Sequence, residues 1–310
     1  MDITFLLWLQ DFRNSTNDIL TPMFELFSNF FLTFVLVIPL VIYWCINKRD
    51  GFYLLVTYGI SKLMNRLLKL TFCVYRPWIK DPRIIPVEDA MKSAGGYSFP
   101  SGHTMTATPI YGGLAVLYGK KSSAITWLCA FLIFMTALSR NYLGVHTPQD
   151  VIVGIVFGLF SIYITSKVFE YVSKNPEKEN LVLLIGLIIC ALSVIYLKLK
   201  SYPIDYDVNG KIIVNPEGNV ASSFSEIGAM VGIIAGRYVD KIFIKFSVVK
   251  PNFKNIIFIV VGVAIFCVID FYSGNFLKKF CGAELRRFAR CFMMFFFAIA
   301  VWPFVLKKIN

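Results

Sequence analysis

The chain has 310 residues, 57% of them hydrophobic, with 30 phenylalanines and a formal net charge of +12. Its mean hydropathy of +0.66 excludes an ordinary soluble domain and fits a polytopic membrane protein. The seven cysteines are scattered without a CxxC pair or metal-ligand spacing, which excludes a disulfide framework.

In chain order, "ITFLLWLQDF" (3–12) is too short to cross a bilayer. It reads as an interfacial helix with Trp8 on the membrane. No basic residue precedes this run and no small-residue cleavage site follows it, so a cleaved signal peptide is not expected. A bilayer core of about 30 Å takes roughly 20 apolar residues per crossing. Windows of that kind recur near 28–46, 52–71, 103–119, 124–139, 149–168, 181–198, 224–243, 255–272 and 288–306. The expected fold is an all-α integral membrane protein with about nine transmembrane helices.

The charge is informative loop by loop. "NKRD" (47–50), Lys120 and Lys121, "SKNPEKEN" (173–180), and Arg237, Lys241, Lys245, Lys250 and Lys254 fall on alternate connections, and Lys307 and Lys308 fall on the same side. The positive-inside rule makes that side cytoplasmic, so that 73–102, 140–148 and 199–222 face outward together. Lys278, Lys279, Arg286, Arg287 and Arg290 break the pattern. Either the last two spans are drawn wrongly, or these cations grip anionic head groups or a ligand.

Three outward segments carry candidate chemistry. In "KLTFCVYRP" (69–77), Lys69 and Arg76 flank the outer end of a span, and Pro77 discourages further helix. They read as cations snorkelling to the interface, or as a phosphate site built from a point charge and a planar fork. In "SFPSGHTM" (98–105), Ser101 is placed to cap the following helix and Gly102 to admit an anion close to the backbone. His103 follows, one of only two histidines. In "SRNYLGVHTPQD" (139–150), Arg140 adds a fork and His146 is the other histidine. Thr147 as N-cap, Pro148 at the first helical position and Asp150 three residues after the cap make a helix start. Asp150 also lies four residues beyond His146, close enough to bond one ring nitrogen and leave the other able to attack.

Lys69-x6-Arg76-Pro77, Pro100-Ser101-Gly102-His103 and Ser139-Arg140-x5-His146-x3-Asp150 resemble, in order and at every position, the three-part signature of the type 2 phosphatidic acid phosphatase superfamily. The close resemblance covers about residues 50–160. It implies a catalytic membrane core (27–175) between an N-terminal interfacial segment (1–26) and a C-terminal extension (176–310), the bundle carrying three additional C-terminal spans. It also implies a metal-independent phosphatase without a cofactor. His146 would be the nucleophile, Asp150 its orienting carboxylate, and His103 the proton donor to the leaving oxygen. Lys69, Arg76, Arg140, Ser101 and the Gly102 amide would hold the phosphoryl oxygens, with Pro77, Pro100 and Ser139 as motif support. The implied partners are the bilayer and a phospholipid or polyprenyl phosphate, with no nucleic acid. The implied location is the bacterial cytoplasmic membrane, with the active site on the extracytoplasmic face. A soluble sugar phosphate, transfer to an alcohol in place of water, and a lipid transporter or flippase stay open as alternatives. A vanadium haloperoxidase would use the same anion site but does not suit a lipid-accessible pocket.

Other features are structural in first reading. "DYDVNGKIIV" (205–214) has Asn209-Gly210 as a hairpin-like turn and, with 73–100, is a candidate selectivity element. Gly228, Gly232 and Gly236 form a small-residue stripe for close helix packing. Glu226 and Asp270 lie near outer ends of spans and are not expected to be catalytic.

Overall fold

A computed structural model describes residues 2–30, 35–250 and 252–310. Among these the chain is helical throughout, without a strand beyond one isolated bridge. Among the described residues five helices are long and apolar enough to cross a membrane: Ser123–Tyr142, Pro148–Lys174, Pro176–Leu199, Phe253–Leu277 and Ala283–Ile309. A shorter apolar helix covers Val37–Ile46. The remaining expected windows are also helical where described, but hydropathy does not make them spans. The Lys48–Phe72 helix carries Lys48, Arg49, Asp50, Lys62, Arg66 and Lys69 in its 25 residues, which lowers its hydropathy below that of the five. The 103–119 window is a shorter run, Thr104–Ala107, a π turn at Thr108–Gly112 and Gly113–Tyr118, with Pro109 inside the turn. Within the expected 28–46 window, residues 31–34 lie outside those described.

Two compact units divide the chain: residues 1–35, 64–162 and 201–219, and residues 36–63, 163–200 and 220–310. The first unit holds every residue of the three motifs. Its apolar core joins Phe24, Ala90, Ala94, Met135, Tyr142, Leu143 and Val145, so that the loop bearing His146 rests on buried side chains. Burying an aliphatic or aromatic side chain of this size contributes roughly 1.5–3 kcal/mol. The helix after His103 lies against the helix after His146 at backbone distance. A β-carbon at Gly158 would stand 2.5 Å from Thr108 Cβ, and one at Gly154 would stand 3.0 Å from Thr104 Cβ. The N-terminal helix Asp2–Ser15 buries Leu6, Leu9 and Arg13 and leaves Trp8 exposed. Arg13 donates to Ile85 O at 2.7 Å, tying this helix to the 73–100 segment.

Residues 205–214 form the expected turn. Asp207 N donates to Lys211 O at 2.9 Å, Tyr206 bridges Ile212, and Gly210 adopts φ +75°, a left-handed conformation that glycine adopts without strain. Tyr75 Oη donates to Asp205 Oδ2, so both candidate selectivity elements meet.

In the second unit the glycine stripe is a packing device. β-carbons at Gly228, Gly232 and Gly236 would stand 2.2 Å from Phe288 O, 2.7 Å from Phe292 O and 2.9 Å from Ile299 Cβ. Only glycine lets Pro216–Val239 approach the last helix this closely. Glu226 faces Lys62 at 3.8 Å and Asp270 faces Arg290 at 3.5 Å. Among the described residues all seven cysteines are free thiols.

Candidate active site

Lys69 lies in the last turn of Lys48–Phe72 and is buried. Its Nζ donates to Tyr97 O at 2.9 Å and Ser98 O at 2.7 Å, clamping the stretch that leads into Pro100-Ser101-Gly102-His103. Arg76 has extended backbone, with ψ 154°, as a residue before proline should. Its guanidinium turns inward. Nε donates to Gly96 O at 3.1 Å, Nη2 to Gly95 O at 3.2 Å, and Nη1 to Val145 O at 2.9 Å and His146 Nε2 at 2.9 Å. Burial lowers its pKa to about 10 while Asp150 opposes the shift, so it remains a cation at neutral pH.

That contact assigns the His146 tautomer. A guanidinium only donates, so Nε2 is the unprotonated nitrogen and Nδ1 carries the hydrogen. Nδ1 faces Asp150 Oδ2 at 3.2 Å. Burial, and then the charge of Arg76, hold the His146 pKa well below its ordinary value against the pull of Asp150. The ring is a neutral imidazole with its lone pair turned toward a cation.

One carboxylate oxygen organises the rest. Asp150 Oδ2 accepts from Ser98 Oγ at 2.5 Å and Thr147 N at 2.9 Å as well as from His146. Thr147 Oγ1 accepts from Asp150 N at 3.4 Å, completing the capping arrangement read from the spacing, with Pro148 opening the helix. Gly144, at φ +73°, turns the chain between Ser123–Tyr142 and His146. A β-carbon there would also stand 3.1 Å from Pro86 Cα.

Ser101 is buried and joins this group through its backbone, N–H to Asp150 O at 2.9 Å. Its carbonyl accepts from Met105 N at 3.0 Å, and its Oγ accepts from Thr104 N at 3.4 Å and Thr104 Oγ1 at 3.1 Å, which is the cap expected of it. The Gly102 amide meets no acceptor among the described residues. His103 follows in the same turn, half-buried. Pro100 is buried, its carbonyl held by Asn65 Nδ2 at 3.1 Å.

Arg140 makes separate contacts through its backbone and its side chain. Its carbonyl accepts from Val145 N at 3.2 Å and His146 N at 3.3 Å, fixing the loop. Its buried guanidinium donates to Ser28 Oγ and to Ser93 Oγ at 3.5 Å, leaves Nε without an acceptor among the described residues, and repels Arg76. It makes no bond to the His146 ring. Ser139 Oγ bonds Thr136 O at 2.7 Å within its own helix.

Ser98, Asn65 and Asn141 are the residues that sequence reasoning missed. Asn141 Nδ2 donates to His146 O at 2.8 Å, and an asparagine at a helix end, five residues before a candidate histidine, was a usable signal. Ser98 stands inside the second motif stretch, yet its partner Asp150 is 52 positions away. Among the described residues, no three His, Cys, Asp or Glu side chains converge as metal ligands would. The motifs instead supply a neutral histidine, a carboxylate, three buried cations and an open amide, a set suited to an anion.

Comparison with known proteins agrees with this chemistry. A family model described as the PAP2 superfamily matches residues 50–174, and one described as the PAP2 superfamily phosphatase, transmembrane extension, matches residues 224–310. The chain is 28% identical over 170 residues to phosphatidylglycerophosphatase B of Bacillus subtilis, covering 52% of this chain and 79% of that protein. It is 28% identical over 135 residues to the bacitracin transport permease protein BcrC of Bacillus licheniformis, covering 42% and 63%. It is 32% identical over 120 residues to a lipid A 1-phosphatase of Rhizobium johnstonii, covering 38% and 48%. No solved structure matches the chain significantly. The two family matches together span more than half of the sequence and enclose all three motifs: the chain is a member of the PAP2 superfamily.

Proposed function

We propose that this chain is an integral membrane phosphatase that hydrolyses a phosphomonoester or diphosphate on a lipid through a phosphohistidine on His146. The observation that carries the reading is the placement of His146, with Nδ1 on Asp150 at 3.2 Å and Nε2 facing the Arg76 guanidinium at 2.9 Å. A phosphoryl group bound to Arg76 presents phosphorus to that nitrogen.

The reaction runs in two displacements. The Nε2 lone pair of His146 attacks phosphorus, a P–N bond forms, and the bond to the leaving oxygen breaks as His103 gives that oxygen a proton. The imidazole becomes cationic, and Asp150 stabilises it. His103, now neutral, takes a proton from water, whose oxygen attacks phosphorus; the P–N bond breaks and phosphate leaves. Lys69, Arg76, Arg140 and the Gly102 amide hold the equatorial oxygens, since phosphoryl transfer needs positioning and charge stabilisation above all. Buried cations supply that charge without a metal or cofactor.

A lipid substrate is supported by the apolar spans and by the names of two relatives, a phosphatidylglycerophosphatase and a lipid A phosphatase. Phosphatidic acid, phosphatidylglycerol phosphate and polyprenyl diphosphate are the candidate classes. We place the active site at the extracytoplasmic face of a bacterial cytoplasmic membrane, in a nine-span layout with core 27–175 and extension 176–310. Phosphate release by purified protein, over a panel of lipid and soluble phosphates with chelator present, tests this reading. Release from lipid phosphates that His146→Ala abolishes supports it. Preference for a soluble sugar phosphate, or a His146→Ala protein of undiminished function as expected of a transporter, overturns it.

A further inference from the structure

The cations that broke the positive-inside pattern gather at one end of the C-terminal helical pair in the second unit. Lys278 and Lys279 follow Phe253–Leu277, and Arg286, Arg287 and Arg290 lie on Ala283–Phe296. The only acid within 278–290 is Glu284, and Lys198 Nζ already holds it at 2.5 Å. Asp270 answers Arg290 alone, through Nη1 at 3.5 Å. The side chains of Lys278, Lys279 and Arg286 make no ion pair among the described residues. The cluster therefore keeps an uncompensated positive charge at the end of two apolar spans.

Snorkelling alone does not account for this arrangement. Arg287 is fixed to Ser222 Oγ and Arg290 to Asp270, each on a different neighbouring helix, so these forks are positioned, whereas snorkelling side chains need no partner. Arg290 Nε is buried without an acceptor among the described residues, a donor in need of an oxygen. Phe271, Tyr272, Phe276 and Phe280 are exposed beside the cations, the composition of a surface at head-group level.

We propose that residues 278–290 form a binding site for the phosphate of an anionic phospholipid head group, separate from the catalytic residues. Lys278, Lys279 and Arg286 meet the lipid phosphate at the surface, and the Arg290 fork supplies the inner donor. The exposed aromatic rings lie along the acyl chains. Charge complementarity selects an anionic lipid over a zwitterionic one, whose ammonium would meet the same cations.

The test is thermal unfolding and lipid titration of the purified full chain in uncharged detergent. Phosphatidylglycerol and phosphatidylcholine of matched acyl chains are compared, with inorganic phosphate as a further arm. Phosphatidylglycerol should raise the midpoint above phosphatidylcholine. The triple variant Lys278→Glu, Lys279→Glu, Arg286→Glu should erase that difference and weaken phosphatidylglycerol binding by at least about a hundredfold, each cation near an anionic surface being worth roughly fivefold and each reversal adding repulsion. The control pair Lys120→Glu, Lys121→Glu should leave the difference intact. Where the triple variant does not fold, Lys278→Ala with Lys279→Ala, both exposed, should still cost about tenfold or more. Equal stabilisation by the two lipids, a difference that survives these substitutions, or protection by inorganic phosphate that equals that of phosphatidylglycerol and is lost in the triple variant overturns the proposal.

Discussion

Replacing Asp150 by asparagine keeps the shape of the side chain and removes its charge. Oδ2 of Asp150 lies 3.2 Å from His146 Nδ1. At an effective dielectric constant of about 20, a full imidazolium charge at that distance is stabilised by about 5 kcal/mol. A transition state carrying roughly half that charge loses about 2.5 kcal/mol, close to two orders of magnitude in kcat. The same oxygen accepts from Ser98 Oγ and Thr147 N, so the asparagine has to keep its oxygen there. If the amide instead turns its NH2 toward Nδ1, the ring changes tautomer and the lone pair leaves Nε2, which costs more. The expected loss is therefore about 10²–10⁴-fold in kcat, with KM little changed because Asp150 does not touch the substrate. Phosphate release at saturating lipid substrate measures it, with circular dichroism to show that the variant is folded. A folded Asp150→Asn protein within about threefold of wild type would refute the electrostatic role.

Ser98→Ala removes one of three donors to Asp150 Oδ2 and should lower kcat about tenfold, with Ser98→Thr recovering most of it; equal loss in both variants would make Ser98 only a packing residue. Because burial and Arg76 hold His146 neutral, the acid limb of the kcat/KM profile should lie below the ordinary histidine value of about 6.5, with His103 setting the alkaline limb of a bell. The unfolded chain takes up a proton near pH 6.5 that the native ring refuses, so stability should fall as pH drops below about 6.5 and be level above it. Unfolding midpoints from pH 5 to 8 should show this slope in wild type and not in His146→Gln; matching slopes would contradict the assignment. Gly158→Ala places a β-carbon 2.5 Å from Thr108 Cβ and should cost about 1–3 kcal/mol, partly regained by adding Thr108→Ala; an unchanged midpoint would contradict the close helix contact.

The features legible in the sequence were those written at short range. Thr147, Pro148 and Asp150 specified a helix start by spacing alone, Asn209-Gly210 specified a turn, and the glycine stripe specified a close contact, because each depends on neighbours within about one helical turn. What the motifs did not show is the long-range partners of their side chains. Lys69 spends donors on Tyr97 O and Ser98 O, and Arg140 reaches Ser28, 112 positions away. No local pattern encodes such partners. The span count was the least legible quantity. A helix such as Lys48–Phe72, which keeps Thr57, Ser61, Asn65 and Lys69 buried inside protein, lowers its own hydropathy by the same polar residues that give it internal partners.

In the proposed reaction His146 carries phosphorus between the two displacements. Rapid quench of the purified protein with a lipid substrate labelled in its terminal phosphate detects that intermediate. The expected result is a transient phosphoprotein that is labile in acid and stable in base, mapped to His146 and absent from His146→Ala; in a His103 variant it accumulates when the leaving group is good enough to depart without a proton, because water is then not activated. A label on another residue, or turnover by His146→Ala without a phosphoprotein, would contradict it.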